Sequence, residues 1–181
     1  MHPLFIVIGP SGSGKTSVVS SALSVVPLKR AITATTGAPR AGETPDDYIF
    51  LPPKEFTRIP LVETATYAGN MYGIPRKEID SSDICILSPS GVGPVVTYCR
   101  STGRDCYVIG ITAGESDRFQ RMIRRGDNPY KALDRVRGDV NEFLTFPLLC
   151  DVVFRNENFS VTVNRLVSYI GIKSGHLDWV C

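Results

Sequence analysis

Residues 9–16 read GPSGSGKT, which fits the GxxxxGK[ST] spacing of a phosphate cradle. Gly9, Gly12 and Gly14, with Ser11 and Ser13 between them, let the backbone fold tightly enough to aim its N–H groups at phosphate oxygens. Lys15 adds a point charge for β- and γ-phosphates. The Thr16 hydroxyl, followed by Ser17, is a candidate Mg²⁺ ligand. The loop directly follows the apolar run LFIVI and directly precedes a helix-compatible run, so a helix N-terminus adds its positive end to the cradle. These flanks separate a nucleoside triphosphate site from a chance glycine turn.

Phosphoryl transfer between two anions depends on positioning and charge neutralisation, so it needs arginines and a divalent cation more than a nucleophile. Arg118, Arg121, Arg124, Arg125, Arg135 and Arg137 crowd one stretch of the chain. Two or three of them meet the chemical need, and Arg118 and Arg124 read as a solvated helix face. No Ser/His/Asp set accompanies them. His2 and His176 lie near the termini and read as incidental surface residues. Tyr48 and Tyr72 sit in polar, turn-like flanks, DDY and NMYG, which favours a binding role over a core role.

Elements must bring these groups together. Apolar runs at Leu4–Ile8, Asp83–Leu87, Tyr107–Thr112 and Val152–Phe154 read as buried strands, with helices at about 14–25, 92–101, 115–125, 131–144 and 159–171. That alternation predicts an α/β fold, a parallel sheet flanked by helices. The Gly-, Pro-, Thr- and Tyr-rich stretch from about 33 to 80 breaks the pattern and reads as a small β-containing insert, and RRGDNPYKA reads as a turn between two helices, suited to a lid. The expected organisation is one domain over 1–181, with a core of 1–32 and 81–181, the insert at about 33–80 and the lid at about 121–137.

Composition is compatible with this plan. A chain of 181 residues, 43% hydrophobic, can bury a sizeable core. Its formal charge of +2 gives no general coat for nucleic acid. The five cysteines, Cys85, Cys99, Cys106, Cys150 and Cys181, are odd in number and lack CxxC spacing, so they read as reduced structural thiols suited to the cytoplasm. The N-terminal apolar run lacks a basic flank and reads as a strand, and no apolar stretch approaches the roughly 20 residues of a membrane span. SGHLDWVC at the C-terminus carries no functional signal.

With the phosphate loop in place, APRAGETPDDYIF, VETATYAGNMYG, RFQRMIRRG and LDRVR follow in an order that resembles the guanylate kinase family from about Leu4 to Ile170. The resemblance implies a P-loop core with a mobile nucleoside monophosphate insert and a lid, and transfer of the ATP γ-phosphoryl to GMP or dGMP with Mg²⁺. It implies that Arg40, Tyr48 and Tyr72 hold the acceptor phosphate, that Glu63 accepts from guanine N1–H and N2–H, that Thr33 reaches the O6 side, and that Gly73 belongs to the same site. It also implies that Arg121, Arg125 and Arg135 neutralise the transferring phosphate and that Asn156 lies near adenine. ATP and a nucleoside monophosphate are the expected partners of a monomer or homodimer, with no nucleic acid or membrane.

Three departures lie on the acceptor side. Gly37 stands where the family has a second phosphate-gripping arginine, Ile74 where a hydroxyl helps hold guanine O6, and Ser88 and Ser90 where acids close a strand. These leave room for another or modified deoxynucleotide, or for a phosphorylated ribose, as acceptor. A non-catalytic protein-binding module of this fold is disfavoured by the intact Gly14, Lys15 and Thr16.

Overall fold

A computed structural model describes residues 2–39, 44–67, 69–143 and 145–180. The N-terminal half contains β1 (Leu4–Ile8), α1 (Lys15–Leu23), β2 (Thr33–Thr35), β3 (Tyr48–Phe50), α2 (Pro53–Phe56), β4 (Leu61–Tyr67), β5 (Asn70–Pro75) and α3 (Arg76–Ser81). The C-terminal half contains β6 (Ile84–Ile86), α4 (Pro89–Thr102), β7 (Cys106–Thr112), α5 (Glu115–Arg124), α6 (Pro129–Glu142), β8 (Val152–Arg155) and α7 (Phe159–Ser174). Short 3-10 turns span Phe146–Leu149 and Leu177–Trp179.

β1 is buried along its whole length, and its alternate side chains serve two interiors. Leu4, Ile6 and Ile8 join Val92, Val95 and Cys99 of α4 on one face. Phe5 and Val7 join Val18, Val19 and Ala22 of α1 and Leu166 and Ile170 of α7 on the other. A strand of period two can fill two cores at once, which is why this one is apolar throughout. The main sheet runs β6-β1-β7-β8, every pair parallel. The loops after the C-terminal ends of β1, β6 and β8 therefore open along one edge, where ligands of open α/β sheets bind.

A second, mixed sheet lies between α1 and α3 in sequence, with the order β3-β2-β5-β4. β2 pairs parallel to β3 and antiparallel to β5, which pairs antiparallel to β4. α5 and α6 form a helical hairpin with a small apolar cluster of its own, Met122, Ala132 and Val136. Its turn is shaped by Gly126 and by Asn128, whose side chain accepts from the Tyr130 and Lys131 N–H groups ahead of Pro129. Pro at the first helical position forfeits no hydrogen bond, and the Asn cap satisfies two that would otherwise be open.

Two expectations need correction. α4 begins at Pro89 rather than at 92, because Pro89 fits the first helical position. His2 and His176 were read as incidental surface residues, yet His176 stacks on Trp179 with ring centroids 4.3 Å apart and lies 6.1 Å from the His2 ring, where the C-terminal turn packs on α7. Cys85, Cys99, Cys106 and Cys150 are free thiols, and burial pushes the Cys99 and Cys150 thiols up to about 11, toward the protonated form. Cys181 lies outside the described residues. Among those described, no helix is long and apolar enough to cross a membrane.

Candidate active site

The glycine loop turns from β1 into α1 as the sequence predicts. Gly14 immediately precedes the helix with φ 92°, in the left-handed region that a residue with a Cβ rarely adopts. Lys15 opens α1, and its Nζ donates to the Pro10 carbonyl at 3.3 Å. Burial pulls its ammonium down to about 8; Asp139 opposes the shift, while Arg135, Arg118 and Arg125 reinforce it. The three arginine charges therefore converge on this lysine. Thr16 and Ser17 are exposed on the first turn of α1.

The loop is held from beneath. The buried Asn156 donates from Nδ2 to the Ser13 carbonyl at 2.8 Å. Arg121 donates to the same carbonyl at 3.1 Å and to the Asn156 carbonyl at 2.7 Å. Both residues meet the loop, and Arg121 holds backbone oxygens. At the turn of the helical hairpin, Asp127 accepts from Arg125 at 2.9 and 2.6 Å and from Arg135 at 3.3 Å. Two of the three arginines implied for phosphate neutralisation, Arg125 and Arg135, are thus joined through one carboxylate that sequence reasoning missed.

Arg118 corrects an expectation. It is 6% exposed rather than solvated, and it pairs with the buried Asp139 of α6 at 2.7 Å. Arg124 is exposed, as expected. The local pattern offers no signal for Arg118, because the element that covers it is brought back by the hairpin.

In the second sheet, Tyr48 and Tyr72 face each other edge-on with ring centroids 6.2 Å apart. They line a small cavity of about 50 Å³ with Thr35, Gly37 and Asn70. Position 37 therefore faces the same space as the two tyrosines. Asn70 was also missed, although it stands in the GNMYG block. Thr33 pairs with Tyr48 across β2 and β3. Gly73 is buried where a Cβ would approach the Glu63 carbonyl to 2.8 Å, so β5 can lie close against β4. Arg40 lies outside the described residues.

Glu63 is half-buried and points from β4 toward the start of α4, where a Cβ on Gly91 would lie 3.4 Å from its carboxylate carbon. Burial pushes its carboxyl above the usual range. Ser88 and Ser90 are linked Oγ to Oγ at 2.8 Å at that same helix start. Ile74 is fully buried in the cluster that contains Ile79, Leu87 and Val92, so its side chain belongs to the interior rather than to a base pocket.

A family model described as guanylate kinase matches residues 1–171. The chain belongs to the guanylate kinase family. A guanylate kinase of Synechocystis sp. is 42% identical over 179 residues, covering 93% of each chain. A guanylate kinase of Rubrobacter xylanophilus is 45% identical over 83 residues, a stretch that spans 42% of this chain and 44% of that protein. The crystal structure of guanylate kinase from Anaplasma phagocytophilum superposes with a TM-score of 0.73 at 21% identity, covering 96% of this chain and 86% of the other, which shows the shared fold. Membership makes this chain a nucleoside monophosphate kinase, a phosphotransferase with the α/β P-loop core.

Proposed function

We propose that this kinase transfers the γ-phosphoryl group of ATP to GMP or dGMP. The observation that carries the reading is the placement of Glu63: a half-buried carboxylate aimed at the start of α4, in the sheet that also holds the Tyr48–Tyr72 cavity. A carboxylate suits a base with two adjacent N–H donors, which guanine presents and thymine and adenine do not.

In this reading residues 9–16 cradle the donor phosphates and Lys15 places a charge beside the transferring group. Arg125, Arg135 and Arg121 neutralise the developing charge. Tyr48, Tyr72 and Arg40 hold the acceptor phosphate, Thr33 and Gly73 bound the base side, and Asn156 supports the adenine side. Mg²⁺ fits the oxygen donor that Thr16 exposes beside the loop, and it would draw its remaining ligands from phosphates and water. When bound it would supply positive charge against the phosphate oxygens. The second sheet and the α5–α6 hairpin act as closing parts around the core.

Gly37, Ser88 and Ser90 keep open an acceptor of different shape. A coupled assay of ADP release with GMP, dGMP, dTMP, dCMP, dAMP and dUMP tests the reading. GMP and dGMP should lead the panel; poor turnover of both beside good turnover of another acceptor would overturn the guanine assignment and leave the kinase standing.

A further inference from the structure

The backbone of Ser11, inside the phosphate loop, is gripped from both sides by one ion pair. Its N–H donates to Asp139 Oδ2 at 2.8 Å, and its carbonyl accepts from Arg118 Nε at 3.0 Å. Arg118 also donates from its second terminal nitrogen to that same Asp139 oxygen at 2.7 Å, closing a ring of three hydrogen bonds. The two side chains come from opposite legs of the helical hairpin, α5 and α6, and are 6% and 7% exposed. The contact continues one residue further, where a Cβ on Gly12 would lie 2.5 Å from the Arg118 carbonyl oxygen, so loop and helix touch backbone to backbone.

A buried ion pair is a poor source of net stability, because desolvating two charges offsets most of their attraction, and apolar pairs of similar volume often do as well. What such a pair supplies here is directional hold on a backbone that has glycines on both sides of the gripped segment and little stiffness of its own. We propose that Arg118 and Asp139 are positioning residues that fix the phosphate loop in its receiving shape and tie that shape to the seating of the α5–α6 hairpin. Neither needs to touch ATP. The inference rests on reading residues 9–16 as the donor-phosphate loop.

The test is to measure ATP and GMP KM, kcat and thermal melting for the unaltered protein, for Arg118→Met/Asp139→Leu and for Asp139→Asn. Calorimetric titration with a non-hydrolysable ATP analogue accompanies the kinetics. In the double variant the melting temperature should stay close to that of the unaltered protein, while ATP KM and the analogue's Kd rise about tenfold or more and GMP KM changes less than twofold. Asp139→Asn keeps the shape and one oxygen for Ser11 but loses the charge, and its ATP KM should rise several-fold. Analogue binding within twofold of the unaltered protein in a folded double variant would overturn the proposal. If the double variant does not fold, an unchanged ATP KM in Asp139→Asn does the same. An unaltered protein that fails to bind the analogue removes the donor-loop reading and the positioning role together.

Discussion

Tyr48 and Tyr72 sit on the two strands that flank β2 and meet edge to face across it, with ring centroids 6.2 Å apart. Thr33 pairs with the first tyrosine and Thr35 with the second, so β2 sets the spacing of the two phenols above one cavity. Tyr72→Phe keeps the ring contact and removes only the hydroxyl. GMP KM should rise by about 5- to 30-fold, the equivalent of about 1 to 2 kcal/mol, with ATP KM and thermal stability unchanged. Steady-state kinetics in both substrates checks this.

The cavity between the two tyrosines is tight at Gly37. A Cβ there would lie 3.3 Å from Thr35 Oγ1 and 3.4 Å from Asn70 Cγ, and Gly37 is not among the positive-φ glycines. The backbone at 37 accepts a side chain without strain, and once the Thr35 and Asn70 side chains give by a few tenths of an ångström Gly37→Arg should place a planar fork on the acceptor phosphate of the proposed reading. GMP KM should fall, by up to about 10- to 150-fold, while kcat holds. Collapse of kcat/KM for the best acceptor in the panel would instead mean that the cavity serves a bulkier acceptor.

Glu63 gives the acceptor side a pH signature. Burial raises its carboxyl above the ordinary 4.5, so the proton is held more tightly in the folded chain than in the unfolded one. Ionisation therefore costs a little stability as pH rises through that raised value, while in the proposed reading the ionised form is the one that accepts from two base donors. GMP KM should climb as pH falls through a point above 4.5, and Glu63→Gln should abolish that limb and lose about 1 to 3 kcal/mol of guanine discrimination. Profiles of KM against pH for both proteins decide it.

Asp127 aligns Arg125 and Arg135 through three hydrogen bonds. Without the carboxylate these exposed side chains must be ordered anew for each turnover. Asp127→Asn should lower kcat by roughly 3- to 10-fold and leave GMP KM nearly unchanged. An undiminished kcat would show that the phosphates align the arginines unaided.

The main sheet was legible because β1, β6, β7 and β8 are continuous apolar runs between helical patterns, and the phosphate loop because every residue of its motif acts on its own backbone or neighbour. Arg118 was not legible: its partner Asp139 is 21 residues away, and only the return of α6 buries the pair. Asp127 is a local partner of Arg125, two residues away, and of Arg135, eight residues away, and Asn70 lines the tyrosine cavity from within the GNMYG block; both were within reach of the sequence and were passed over because the motif reading followed only the arginines and tyrosines. Ile74 was marked as a departure where the family has a hydroxyl, and its fully buried side chain faces the interior. The pairing within the second sheet was not legible, since short strands that join parallel and antiparallel neighbours leave little periodicity to read.

Ile74 and the partly buried Val62 of the second sheet share one apolar cluster with Leu4, Ile6 and Ile8 of the first strand. The second sheet consequently is not an independent module. Excised, it would lose the neighbours that bury its inner face; grafted onto another core, it would need matching residues beneath it. Changes to acceptor preference are therefore easier to make at the rim, at positions such as 37, 48 and 88, than by exchanging the whole segment, and the chain should melt as a single cooperative unit.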